Sequence, residues 1–422
     1  MIKAGSINYY DRIVIVVKKI PLTLIISFLG IYFLSAGTSW LAFSYLKAEP
    51  SSTPGTENTS TENGVIGSGL PKTEECPING AMYAKPVKDI WETRRPITAM
   101  IENHADARPL SGISRADVVY EAVAEGGITR FLGVFYCDAA TSDFKLAVIR
   151  SARVYYINWA AEYGQNPIFL HWGGANNICN NCYGGVKAKG QIAPEVDAFK
   201  LLDKIGWRNG TYGNDMDGQS NIGYPALKRL PNRLSSEKDA AAEHQPTAYI
   251  GEVYKEAEKR EFAYKNSKGN TWDGDFIKWQ FADAKPVSEG QVGEISFSFW
   301  TNKADYDVIW KYDSAVNSYK RFNGDKEFTD FEYNNKQIEA KNVLIQFVKE
   351  RGPLDKELHM NYDVVGKGEF LLFNNGTVTS GSWEKEGITS RTQFFNKSGK
   401  EISFVKGAIW IEALPLGNKV KY

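Results

Sequence analysis

RADVVYEAVAEGGITRFLGVFYCDAATSDFKLAVIRSARVYYINWAAEYGQNPIFLHWGG, residues 115–174, is the stretch whose reading decides the fold. Residues 117–124 and 128–136 read as two strands, and Gly126-Gly127 between them supplies the positive φ angles of a tight hairpin turn. A two-residue loop sets Glu125 opposite Ile128, Val123 opposite Arg130 and Glu121 opposite Leu132. Period-two alternation then predicts Asp117, Glu121, Glu125 and Arg130 on one strand face, with Arg130 diagonal to both glutamates. Such a face serves either as a solvated, ion-paired surface or as a carboxylate cluster for proton transfer or a divalent cation such as magnesium.

A third strand, 145–149, runs into Arg150-Ser151-Ala152-Arg153 and then VYYINWAAEYG, whose apolar spacing suits a helix packed on a sheet. Ser151 is expected to cap that helix. Its free amides, with Arg150 and Arg153, would form an anion site at a strand end, where α/β folds bind anions. The arginines would serve equally as partners of nearby acids such as Glu121. A further apolar strand, 167–170, ends at His171, which suits a general base, a ligand or a hydrogen-bonded core residue. Upstream, the strand 97–102 gives way to Asn103, His104 and Arg108, a polar cluster at another strand end.

Helices are expected at 196–205 and 244–262, so residues 76–265 read as an α/β domain with a mixed sheet and flanking helices. The Gly- and Asn-rich segment 206–233 reads as a long loop. Its Asp215-Met216-Asp217-Gly218 lacks the remaining ligands of a calcium loop. Residues 266–422 read as β-rich, with strands at 295–300, 308–312, 343–348, 370–373 and 408–413. Turn pairs such as Asn323-Gly324 and Asn375-Gly376 punctuate them, as in a barrel or sandwich.

At the other end of the chain, residues 20–46 carry no charge over a length that crosses a bilayer, and Arg12, Lys18 and Lys19 precede them. A transmembrane helix is expected there, with residues 1–19 cytoplasmic and the rest extracytoplasmic. Ser35-Ala36-Gly37 offers small residues for signal-peptide cleavage, but the uncharged run beyond them favours a retained anchor. Residues 47–75, rich in Ser, Thr, Gly, Pro and Glu, cannot bury a core and read as a flexible stalk. Fifty basic residues balance fifty acidic ones, which removes the positive field of a nucleic-acid binder. Cys76, Cys137, Cys179 and Cys182 suit disulfides outside the cytoplasm, and only the CNNC pair 179–182 has metal-ligand spacing.

The runs RRPITAMIENHADARPLSGISRADVVYEAVAEGGITRFLGVFY, VIRSAR and FLHWGG, with KNVLIQF, DVVGKGEFLLFNNG and KGAIWIEALP later, resemble the YerB-like family of bacterial surface proteins of unknown function. The resemblance implies a two-part exported protein and brings no catalytic residues with it. The chain departs from the family's usual form in lacking a lipidated cysteine after the apolar segment, and the CNNC segment lies outside the family pattern. In arrangement the acidic hairpin and the arginine-bearing strand end are also similar to LytR-CpsA-Psr phosphotransferases. That similarity implies an acidic role for Asp117, a phosphate role for Arg150 and Arg153, and a magnesium ion. The leading expectation is a membrane-anchored envelope protein that binds a cell-wall polymer, phosphorylated lipid or envelope protein in a polar cleft. Phosphoryl or glycan transfer is the alternative.

Overall fold

The computed structural model describes residues 64–176, 192–208, 213–235, 237–266, 268–289 and 291–422, with Ile31 and the pair 61–62. The expected stalk and membrane span lie almost wholly outside these residues, as do Cys179 and Cys182. Among the described residues no helix is long and apolar enough to cross a membrane.

Ten strands run in one continuous mixed sheet: β1 (Ile97–Glu102), β2 (Val118–Glu125), β3 (Ile128–Phe135), β4 (Ile168–His171), β5 (Asp215–Asp217), β6 (Asn342–Arg351), β7 (Gly366–Asn374), β8 (Thr377–Lys385), β9 (Gln393–Asn396) and β10 (Ile409–Pro415). Their spatial order is β5-β4-β1-β3-β2-β10-β6-β7-β8-β9, and residues Asn361–Asp363 pair alongside β6 as an eleventh strand. The join between early and late parts of the chain is the parallel pair β2–β10, in which Ile409 lies against Val118 and Glu412 against Glu121. Strands β1, β2, β3 and β10 are buried along nearly their whole length, as their near-continuous apolar runs require of strands covered on both faces.

The expectation of an α/β domain followed by a β-rich one is corrected here: the fold is mostly β. The described helices are α1 (Lys85–Trp91), α2 (Val154–Ala160), α3 (Ala198–Lys204) and α4 (Ile250–Lys259), three of them only seven residues long. Helical signals at the three expected places therefore produce segments of two to three turns rather than a helical layer. The late strands β6 and β10 complete the sheet begun by β1–β3.

Covering of the sheet follows from side-chain parity. On one face Tyr120 of β2 stacks on Trp159 of α2, with ring centres 5.1 Å apart. On the other, Trp410 of β10 meets Trp310 at 5.3 Å, and Phe131 of β3 meets Phe328 at 5.6 Å. The covering layer on that second face includes the antiparallel strands Val308–Asp313 and Ser318–Asn323. Aromatic pairs of this kind bring large apolar area to the contacts between the layers.

The β2–β3 hairpin turns at Gly126 and Gly127, with φ of 56° and 80° as the turn demands. A Cβ on Gly127 would sit 2.4 Å from Trp300. The register, however, shifts by one between Val123 and Glu125 through a β-bulge. Arg130 consequently pairs with Ala122 and Phe131 with Glu121. The expected common face for Glu121, Glu125 and Arg130 does not form, because one extra residue sends Glu121 to the opposite side of the sheet.

Candidate functional site

The bulge creates two charged clusters from one strand. On the first face, Glu121 lies beside Glu412 on the neighbouring strand, and Arg321 bridges them. The Arg321 Nη2 stands 2.7 Å from Glu121 Oε2, and its Nη1 donates to Glu412 Oε1 at 2.5 Å. All three side chains are 0% exposed. The rings of Phe131, Trp310, Phe328 and Trp410 box the guanidinium at 4.9–5.8 Å. Asn103 donates to Glu121 Oε1 at 3.2 Å and to Thr129 at 2.8 Å, and it accepts from Arg108 Nε at 3.0 Å. Burial, with Glu121 alongside, holds the Glu412 carboxyl far above its ordinary range even against Arg321. The set thus places two carboxyl groups on one guanidinium in a sealed interior, where burial favours the protonated form of Glu412.

On the opposite face Glu125 is clamped by two arginines: Arg130 Nη2 donates to Oε1, and Arg153 Nη2 donates to Oε2 at 2.7 Å. The Glu125 side chain keeps 26% of its surface exposed. Burial would raise its carboxyl, but Arg130 and Arg153 reverse that and hold it at about 2. Arg130 is itself pushed down to about 10, first by burial and then by the charges of Arg153 and Arg150. Arg150, 25% exposed, donates from Nε to Glu102 Oε1 at 3.0 Å. Arg130 also donates to the Ser151 carbonyl at 3.1 Å. His359 bonds Asp355 through Nδ1 at 2.9 Å, and burial together with Arg153 lowers its pKa. Three guanidiniums therefore gather about Glu102 and Glu125, with Asp355 beside them through His359; Arg130 and Arg153 are buried, and Glu125 and Arg150 reach solvent.

Ser151 does not cap α2: its hydroxyl donates to the Trp172 carbonyl at 3.0 Å, and Arg153 occupies the N-cap without a side-chain cap bond. The expected serine cap does not form, and the arginines gather about Glu125 and Glu102. Asp117 lies elsewhere, accepting from the amides of Tyr136 and Cys137 at 2.8 and 2.9 Å and from Asn79 Nδ2 at 2.9 Å. Burial, with the Asp138 charge next, pushes its carboxyl up to about 7. The adjoining cysteines, Cys76 and Cys137, form a disulfide. Asp117, Glu121 and Glu125 occupy three separate environments, so they offer a magnesium ion no common set of oxygens.

His171 is fully buried, bonded to Asp215 through Nε2 and to the Gly173 carbonyl through Nδ1 at 2.7 Å. Arg208 closes the set on Asp215 at 2.8 Å, and Asp217 accepts the Gly173 amide at 2.7 Å. Asp215 and Asp217 lie on β5, inside the segment expected to be loop, and they anchor the sheet edge. His104 caps a short turn by accepting from the Asp106 amide at 3.2 Å, and its ring stacks on His244 at 5.1 Å. Arg108 also donates to the Asp305 carbonyl at 2.8 Å.

Sequence reasoning missed Glu102, His244, Arg321 and Glu412. Glu102 carried a signal, a lone acid closing the apolar run of β1. Glu412, between Ile411 and Ala413, is the same kind of signal. Arg321 and His244 reach their partners only through contacts across 200 and 142 residues of chain, which no local pattern records.

Comparison with known proteins places these features in a family. Residues 84–200 match the N-terminal domain, and residues 295–411 the C-terminal domain, of the family described as protein of unknown function (DUF3048). A Bacillus subtilis (strain 168) protein named "Putative lipoprotein YerB" is 28% identical over 344 residues, spanning 82% of this chain and 87% of its own length. The crystal structure of YerB from Bacillus subtilis superposes with a TM-score of 0.62 at 23% identity, covering 83% of this chain and all of that one, and so shares the fold. Both halves of the family pattern contribute strands to the one large sheet, and the chain belongs to the DUF3048 family.

Proposed function

We propose that this protein is a membrane-associated, extracytoplasmic cell-envelope protein that binds an anionic envelope polymer at Arg130, Arg150 and Arg153. The single observation behind the binding reading is the clamp on Glu125. Two guanidiniums hold one partly exposed carboxylate, and a third, that of Arg150, lies close enough to act on Arg130. Forked donors of this kind match phosphate or carboxylate oxygens in pairs, and Glu125 occupies the place that a ligand anion would take. The location rests on the lipoprotein name of the Bacillus subtilis relative and on the Cys76–Cys137 disulfide, which persists in oxidising compartments.

The test is co-sedimentation of the full chain with purified cell-wall material carrying its anionic polymers. Retention is expected, with release by added polyphosphate and roughly tenfold weaker retention of Arg153→Ala, the loss of one charge-assisted bond. Equal retention of the wild type and Arg153→Ala would remove the site from the reading.

A further inference from the structure

We infer that His104, Asp106 and His244 form a binding site for a divalent transition-metal ion of the zinc type. A nitrogen of each imidazole and a carboxylate oxygen of Asp106 lie within 4.8 Å of one another. His104 Nδ1 and Asp106 Oδ2 are 3.7 Å apart, close to the separation of two ligands that share one ion. Closing the set requires only side-chain rotation of Asp106, which is 81% exposed, and of His104, one third exposed.

The third ligand is already oriented. His244 bonds Glu102 Oε2 through Nδ1 at 2.9 Å, and Arg150 holds the other oxygen of Glu102. A carboxylate on one ring nitrogen leaves the lone pair on Nε2, the arrangement that supports metal-bound histidines. Parallel stacking of the His104 and His244 rings, 24° from coplanar, keeps both imidazoles on one side of the strand end. An N2O set with solvent on its open side suits zinc, and copper or nickel after it, rather than magnesium or calcium, which take all-oxygen shells. On binding, the ion would replace the weak 3.2 Å contact between His104 Nδ1 and the Asp106 amide, which lies where water can reach it. Nothing in this site depends on anion binding at Arg153.

The experiment is a zinc titration of chelator-treated full chain, followed by cobalt substitution to record visible absorption bands. One equivalent is expected to bind, with a nitrogen–oxygen cobalt spectrum. His104→Ala should lose that equivalent, and Glu102→Gln, which removes the charge that orients His244 and pairs with Arg150, should weaken binding about 10- to 100-fold. The double variant Cys179→Ser/Cys182→Ser should retain it. Because His104 is partly exposed, its variant is expected to fold, which the unfolding midpoint in urea verifies. Unchanged stoichiometry in folded His104→Ala, or loss of the equivalent with the cysteine pair, would overturn the site.

Discussion

Strand β2 carries two glutamates four residues apart, and the protein uses them in opposite ways. Glu121 meets Arg321 and Glu412 in a box of aromatic rings with no solvent exposure. Glu125 meets Arg130 and Arg153 with a quarter of its side chain exposed. The residue types are nearly the same, so chemistry alone does not separate structure from site. Enclosure does: the sealed set draws its members from both halves of the chain with no solvent exposure, whereas Glu125 and Arg150 in the other set reach solvent. Glu162 with Lys385 and Arg391 is equally enclosed, there with two cations on one carboxylate.

The comparison predicts a graded series of effects. Arg321→Ala strands two buried carboxyl groups without their cation and should cost about 3–5 kcal/mol, read as a lowered urea midpoint of the full chain. A milder loss from the combined Arg321→Met and Glu121→Gln change would attribute that cost to the uncompensated charge; an equal loss would attribute it to packing. Next comes Asp117→Asn, which offers one acceptor oxygen where three donors now converge and should cost about 1–3 kcal/mol at pH 5. The Asp117 carboxyl is raised in the fold, so its contribution is complete below its unfolded value of 3.8 and is lost as pH rises through about 7. The asparagine variant should therefore flatten any decline in stability over that range.

Arg153→Ala should cost about 1–3 kcal/mol, because the Arg153 side chain is buried but Glu125 keeps Arg130 and reaches solvent. A loss equal to that of Arg321→Ala would erase the distinction between the two clusters. The acid response of Glu125 is of comparable size, up to roughly 3 kcal/mol for a carboxyl displaced from 4.5 to about 2. Its folded value of about 2 lies below the ordinary 4.5, so its contribution is present above 4.5 and fades as pH falls towards 2. Urea midpoints of wild type and Glu125→Gln should converge across that window.

Much of this architecture was legible beforehand. Apolar runs located β1, β2, β3, β6 and β10 to within a few residues, and Gly126-Gly127 marked its turn. The merger of early and late strands was hidden, because pairing of Val118 with Ile409 spans nearly 300 residues and leaves no local trace. For the site, the arginines Arg130, Arg150 and Arg153 were identifiable, as was the pairing of Arg130 with Glu125, but the bonds from Arg153 to Glu125 and from Arg150 to Glu102 were not. The unforeseen bulge between Val123 and Glu125 reversed one side of the acidic face, since one added residue inverts strand parity. Ser151 followed the pattern of a cap yet turned to Trp172, because Arg150 to Ala152 runs as extended chain bonded to both β1 and the segment after β4.

The central claim, that the open cluster binds anions and the sealed one does not, is tested most directly by calorimetric titration of polyphosphate into full-length wild type and Arg153→Ala at fixed low salt. Saturable binding that weakens roughly tenfold in the variant is predicted, the loss of one charge-assisted bond to the ligand. Identical isotherms for the two proteins, or no heat beyond dilution for the wild type, would contradict it.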